Sequence, residues 1–158
     1  MFSLALLLAD IEGLQQRAAV REAIRDKIHY GVETTIAEDI DRYMEGVPQD
    51  LRILGGDGSV TDWGALKAKQ LQAWDVITRK NLLEIDVTGL EVGCNSTCAT
   101  AATDQRWERK MIGKDGVTEF NIVTTQKHIE AWEIRHSRWA QVSIEGLGGT
   151  TLVDGGPY

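Results

Sequence analysis

The sequence predicts an α+β fold: three helices in the N-terminal half, then a strongly curved antiparallel sheet, the whole folded as a cone around a pocket. Three observations carry this. Apolar residues recur at helical spacing as far as about Lys80. Beyond Asn81 the hydrophobic period drops to two. No strand–helix–strand alternation follows residue 80, which excludes a doubly wound parallel sheet. A bent antiparallel sheet with its concave face closed by the helices buries both patterns at once.

The first helix is predicted from Leu14 to about Gly31, because Val20, Ile24 and Ile28 recur every four residues and Gly31 closes the stripe. Thr34 or Thr35 then caps a short second helix carrying Ile36, Ile40 and Tyr43, which ends near Gly46-Val47-Pro48. Asp50-Leu51-Arg52-Ile53-Leu54 alternates briefly before Gly55-Gly56-Asp57-Gly58, a hairpin signal. Thr61 or Asp62 caps a third helix reaching about Lys80. Trp63, Leu66, Gln70, Trp74 and Ile77 share one of its faces, and Gln70 within that apolar stripe must meet a polar partner or look into a cavity.

The strands follow. Leu83, Ile85 and Val87 alternate with Glu84, Asp86 and Thr88, a half-buried pattern. A long strand from about Thr97 to Met111 leads through the turn Gly113-Lys114-Asp115-Gly116 to a second, from Val117 to Arg135. After the tight turn His136-Ser137 comes a strand over Arg138 to Ile144, and the Gly-rich tail 147–158 reads as irregular capping sequence. With no repeat and no linker, residues 1–158 are expected to form one domain with its core at about 12–146.

Composition narrows the function. Seventeen Lys and Arg against 24 Asp and Glu give a formal charge of -7, which disfavours phosphate backbones and anionic membrane surfaces. No Gly-rich phosphate loop, Ser-His-Asp signature or metal-ligand cluster is present, so neither a cofactor nor a metal is expected. Five tryptophans against two phenylalanines suit either a Trp-rich core or the wall of a partly polar cavity. The apolar run 2–9 is too short to span a bilayer. It reads as the opening turn of a helix, which favours a cytoplasmic protein; the alternative is the remnant of a signal segment, and so an exported one. Cys94 and Cys98 bracket Asn95-Ser96-Thr97, an N-glycosylation sequon. If extended, they lie about 13 Å apart, so two unbridged thiols are expected.

Certain segments carry a resemblance. Asp39-Ile40-Asp41-Arg42-Tyr43-Met44 follows the first helix and Asp57-Gly58-Ser59-Val60-Thr61-Asp62 precedes the third. Ala131-Trp132-Glu133-Ile134-Arg135 and Arg138-Trp139 give a W-x-x-R-x-x-x-W ending. In these segments and in element order, over nearly its whole length, the chain resembles the nuclear transport factor 2-like superfamily of cone-shaped, cystatin-like α+β domains, and within it the polyketide-cyclase-like and uncharacterised branches. That superfamily includes steroid isomerases, epoxide hydrolases, dehydratases, polyketide cyclases and non-catalytic binding or assembly domains, so the resemblance implies a fold and not a reaction. Its steroid-isomerase-like members carry a base carboxylate near the end of the first strand. The matching position here is about Gly55, and Asp57 two residues on belongs to a turn. Their helix-borne oxyanion tyrosine would fall near Gly31, with Tyr30 one position off.

Polar residues on the long strands define a candidate pocket. Thr124, Gln126, His128, Glu130 and Trp132 share one face, and Gln105 and Trp107 share another; each face carries an aromatic and is expected inward. In the functional reading His128 is an acid or base, the side chain best suited to titrate near neutral pH, with Glu130 or Asp86 orienting it. Gln105, Gln126 and Tyr30 hydrogen-bond a small apolar or partly polar ligand, Gln70 looks into the same space, and Trp63, Trp74, Trp107 and Trp132 stack on it. His29 and His136 read as surface residues. The competing reading is a cross-strand ladder of polar groups on a face covered by water or a partner subunit, with the protein a homodimer through its sheet.

Overall fold

The computed structural model describes residues 4–157 apart from Gly56, with side chains from Glu12 onward. Helix α1 spans Leu4–Ala37 and α2 Ile40–Glu45. The short strands β1, Arg52–Leu54, and β2, Val60–Thr61, precede helix α3, Trp63–Asp75. The long strands β3 (Ile77–Gly93), β4 (Cys98–Ile112), β5 (Glu119–Arg135) and β6 (Arg138–Val153) follow, with a last short strand β7 at Gly156–Pro157. Sheet order is β2-β1-β6-β5-β4-β3, with β7 on β6. The fold is α+β as expected, but the sheet is mixed: β1 runs parallel to β6, and every other pair is antiparallel.

Four boundaries differ from the sequence reading, each for a local reason. Helix α1 begins at Leu4, so part of the apolar run 2–9 is helical; Phe2, and the packing of that run, lie outside the described residues. At its other end α1 runs through Thr34 and Thr35. Thr34 is no cap, because its hydroxyl donates back to the carbonyls of Tyr30 and Gly31 at 3.0 and 3.1 Å inside the helix. The break comes at Glu38, whose φ of 56° is left-handed, and the next cap is Asp39, accepting from the Arg42 amide at 3.1 Å. Helix α3, capped by Asp62, stops at Asp75 because Ile77 pairs with Met111 and starts the sheet.

The fourth difference is β6, which continues to Val153 where irregular tail was expected. Its glycines permit a bulge instead of ending the strand. Gly148 takes a φ of +113°, and a Cβ on Gly149 would lie 2.0 Å from the carbonyl oxygen of Thr125. The pairing with β5 shifts register at Lys127/His128 and then resumes.

The cysteines also depart from expectation. They are not extended: a 3-10 turn at Cys94–Ser96, with positive φ at all three residues, brings the two Cα atoms to 5.3 Å, and a disulfide joins Cys94 to Cys98. The sequon residue Asn95 is exposed within that loop.

The core lies between α1 and the closed end of the sheet. Val20, Ile24 and Ile28 pack on Ala99, Ala101 and Trp132, with Ile85, Val87, Leu90, Val92 and Trp139 around them. Alanines on β4 leave room for Trp132 across the ladder, where Ala99 is its direct partner. This plugs one end of the cone with side chains. Farther along, β4 exchanges its alanines for Thr103 and Gln105, and β5 follows Trp132 with Glu130, His128 and Gln126. No helix among the described residues is long and apolar enough to cross a membrane.

Candidate functional site

Beyond the plug, the concave face and the helices enclose a cavity of about 370 Å³. From β4 it receives Gln105 and Trp107, and from β5 Gln126, His128, Glu130 and Trp132. Register explains this convergence: Gln105 pairs directly with Gln126, and His128 with Thr103, so alternate residues of both strands project to one side. Helix α1 contributes Lys27, Ile28 and Tyr30, and Gln70 enters from α3. Leu83, Ile85 and Ile144 supply the apolar surface.

Two of the proposed ligand contacts lie elsewhere. Trp63 donates its indole N–H to the carbonyl of Val47 at 3.1 Å, tying α3 to the loop after α2. Trp74 is buried with its ring edge-on to Tyr43, centroids 6.1 Å apart. Neither lines the cavity. Both sit on the buried stripe of α3, and helical spacing alone does not separate packing against a neighbouring helix from facing the cavity. Tyr30 does line it, but its hydroxyl donates to the Arg42 carbonyl at 3.1 Å, so it presents a ring more than a donor.

Glu130 differs most from its expected role. Only 5% exposed, it accepts from the Thr103 hydroxyl at 3.0 Å and from the Trp132 indole at 3.1 Å, with Gln141 a further side-chain partner. Burial pushes its carboxyl above the ordinary glutamate value, against those hydrogen bonds, which favour the charged form. With both oxygens engaged it forms no hydrogen bond to His128 among the described residues; it fixes Trp132 and Gln141 instead. Asp86 is no better placed to orient the imidazole. It is exposed, opposite Asp104, whose carboxylate accepts from Lys127 at 3.1 Å on the other face of the sheet.

His128 is half-buried in the cavity wall, and burial lowers its pKa below the ordinary histidine value, which favours its neutral form. A neutral imidazole has one nitrogen that donates and one that accepts. Behind Trp107, the Arg109 guanidinium stacks 4.2 Å from the ring centroid and donates to Thr124 at 3.1 Å. His29 and His136 are exposed.

The sequence reading missed Tyr43, Gln141 and Lys27. Tyr43 comes from α2 with burial pushing its phenol up, Gln141 faces Trp132 across the β5–β6 ladder, and Lys27 lies one position from the buried Ile28. Lys27 lies next to the apolar stripe of α1, and the stripe alone does not mark it as facing the cavity.

Neither a protein-family model nor a curated protein matches the sequence. Solved structures do match in shape. A putative scytalone dehydratase from Novosphingobium aromaticivorans aligns with a TM-score of 0.75 over 88% of this chain and 90% of its own, at 8% identity. A hexachlorocyclohexane dehydrochlorinase, LinA-type3, from Novosphingobium barchaimii gives 0.63 over 87% and 93%, at 16% identity. An NTF-2 like protein of unknown function from Shewanella oneidensis gives 0.60 over 80% and 97%, also at 16%. At these identities the likeness is one of fold, and the fold of this chain is the nuclear transport factor 2-like cone.

Proposed function

We propose that this chain binds a small, partly apolar molecule inside the cone and that His128 is the group acting on it, as the base of a cofactor-independent proton transfer of the isomerase, cyclase or hydrolase kind. The observation that carries this reading is the convergence of Gln105, Gln126 and His128 on one cavity whose wall also includes the apolar Trp107, Leu83, Ile85 and Ile144. A few polar groups fixed in an apolar wall are the usual make-up of a ligand site. An unprotonated imidazole with no carboxylate bonded to it among the described residues is suited to accept a proton. Two of the fold neighbours are named for eliminations, a dehydratase and a dehydrochlorinase, which is the same kind of chemistry.

The test is calorimetric titration of neutral two-ring aromatic alcohols and ketones into the protein and into a His128→Ala, Gln105→Ala double variant. Binding that weakens at least tenfold in the variant supports the site. Absence of binding across the panel by the unmodified chain would sink the reading. A second reading is a homodimer assembled through the sheet. It is favoured by the outward side of β5 and β6, where Ile129, Ala131 and Val142 are only half-buried. Light scattering that shows a monomer at high micromolar concentration removes it.

A further inference from the structure

We propose that the ligand carries an anionic group, a carboxylate or its equivalent, and that Lys27 of α1 is the residue that selects it. This rests on the pocket reading above and narrows its ligand class.

Lys27 is half-buried and lines the cavity one helical turn from Tyr30 and Gly31, beside Ile28, which reaches into the same space. Among the described residues Lys67, Lys80, Lys110 and Lys127 each have a carboxylate within 4 Å; Lys27 has none, and Lys69 and Lys114, also without one, do not line the cavity. The cavity wall holds one carboxyl, Glu130, and that group is already held by Thr103, Trp132 and Gln141. Both of its oxygens are engaged and burial disfavours its charged form, and it forms no ion pair with Lys27 among the described residues. A second cation, Arg109, stands behind Trp107 and is likewise without a carboxylate partner among the described residues. Lys27 is thus the one lysine or arginine lining the cavity among the described residues, in a chain of net charge -7. Partly buried cations are normally paired, and an anionic ligand group completes this one. The ligand's apolar body then lies on Ile28, Leu83 and Trp107, with its neutral polar atoms toward Gln105, Gln126 and His128.

The experiment compares 2-naphthoate with 2-naphthamide, matched in shape and different in charge, by calorimetry at pH 7. The proteins are the unmodified chain, Lys27→Met, Lys27→Gln, Lys27→Arg and Lys67→Met. The last removes the same net charge at an ion pair with Asp41 that does not line the cavity. The expected result is a preference for the acid of about tenfold, typical of one charge-assisted contact. It should vanish in Lys27→Met and Lys27→Gln while the amide affinity holds, and persist in Lys27→Arg and Lys67→Met. An unmodified chain that binds both probes equally, or an acid preference that survives in both Lys27→Met and Lys27→Gln, overturns the proposal and leaves the pocket standing. Binding of neither probe overturns the pocket reading and this proposal together.

Discussion

Glu130→Gln is the substitution whose outcome the structure constrains most tightly, because two opposing effects separate with pH. The change is isosteric in a group only 5% exposed. Glutamine keeps an oxygen for the Thr103 hydroxyl, now 3.0 Å away, but turns an N–H toward the Trp132 indole, now a donor at 3.1 Å. Two donors then face each other in a buried place, which destabilises by about 1–3 kcal/mol. The opposing effect is ionisation. The folded carboxyl lies above its ordinary value, so the unfolded chain releases this proton at lower pH than the folded one does. The contribution of Glu130 is fully present below the unfolded pKa and is lost as pH rises through the folded one. The loss is about 1.4 kcal/mol for every pH unit separating the two.

The variant has no such proton. Urea unfolding of both proteins at pH 5, 6.5 and 8 should show Glu130→Gln clearly less stable at pH 5, with the gap shrinking toward pH 8. Titrations common to both proteins cancel in the difference. A gap that stays constant, or widens with pH, would refute the claim that burial outweighs the hydrogen bonds at this carboxyl.

Further outcomes follow from the packing. Ile24→Ala, at a fully buried position between helix and sheet, should lower stability by about 2–5 kcal/mol in chemical denaturation without changing the m-value. Gly149→Ala should leave little folded protein, because its methyl would sit 2.0 Å from the Thr125 carbonyl oxygen; soluble yield and circular dichroism report this. Removing the Cys94–Cys98 bridge with a Cys94→Ser, Cys98→Ser variant releases only a short loop and should lower stability by about 2 kcal/mol. Neither cysteine lines the cavity, so calorimetric ligand affinity at 20 °C should be unchanged.

Where side-chain period alone decides the structure, the sequence was legible. The stripe of Val20, Ile24 and Ile28 and the alternation through Leu83, Ile85 and Val87 both point as expected. The inward face of β5 could be chosen from one residue, Trp132, and Gln126, His128 and Glu130 then follow it into the cavity. What was not legible depended on backbone conformations that residue type only weakly encodes. Left-handed residues at Cys94, Asn95 and Ser96 close the disulfide loop, and the β6 glycines continue a strand where their composition suggests a coil. Partner choice was equally hidden. Nothing in the order Glu130-Ala131-Trp132 announces that the carboxylate binds its own strand neighbour's indole instead of His128.

The arrangement of β4 against β5 ties the candidate site to the stability of the fold. Going outward from the closed end, the ladder pairs are Ala99 with Trp132, Ala101 with Glu130, Thr103 with His128, Gln105 with Gln126 and Trp107 with Thr124. Bulk passes from β5 to β4 along this series. At the closed end, alanines admit Trp132 and fill the cone; at the other, Trp107 stands opposite a threonine and forms a wall. Between them lie the pairs that can hold ligand. A slip of one residue would turn every member of the series to the opposite face, removing the core plug and the polar lining in the same step. Trp132 is therefore held from two directions, by Ala99 across the ladder and by the Glu130 carboxyl beside it. Loss of that carboxyl contact should loosen both the floor of the cavity and the end of the core, so Glu130 belongs to the scaffold on which His128 is displayed.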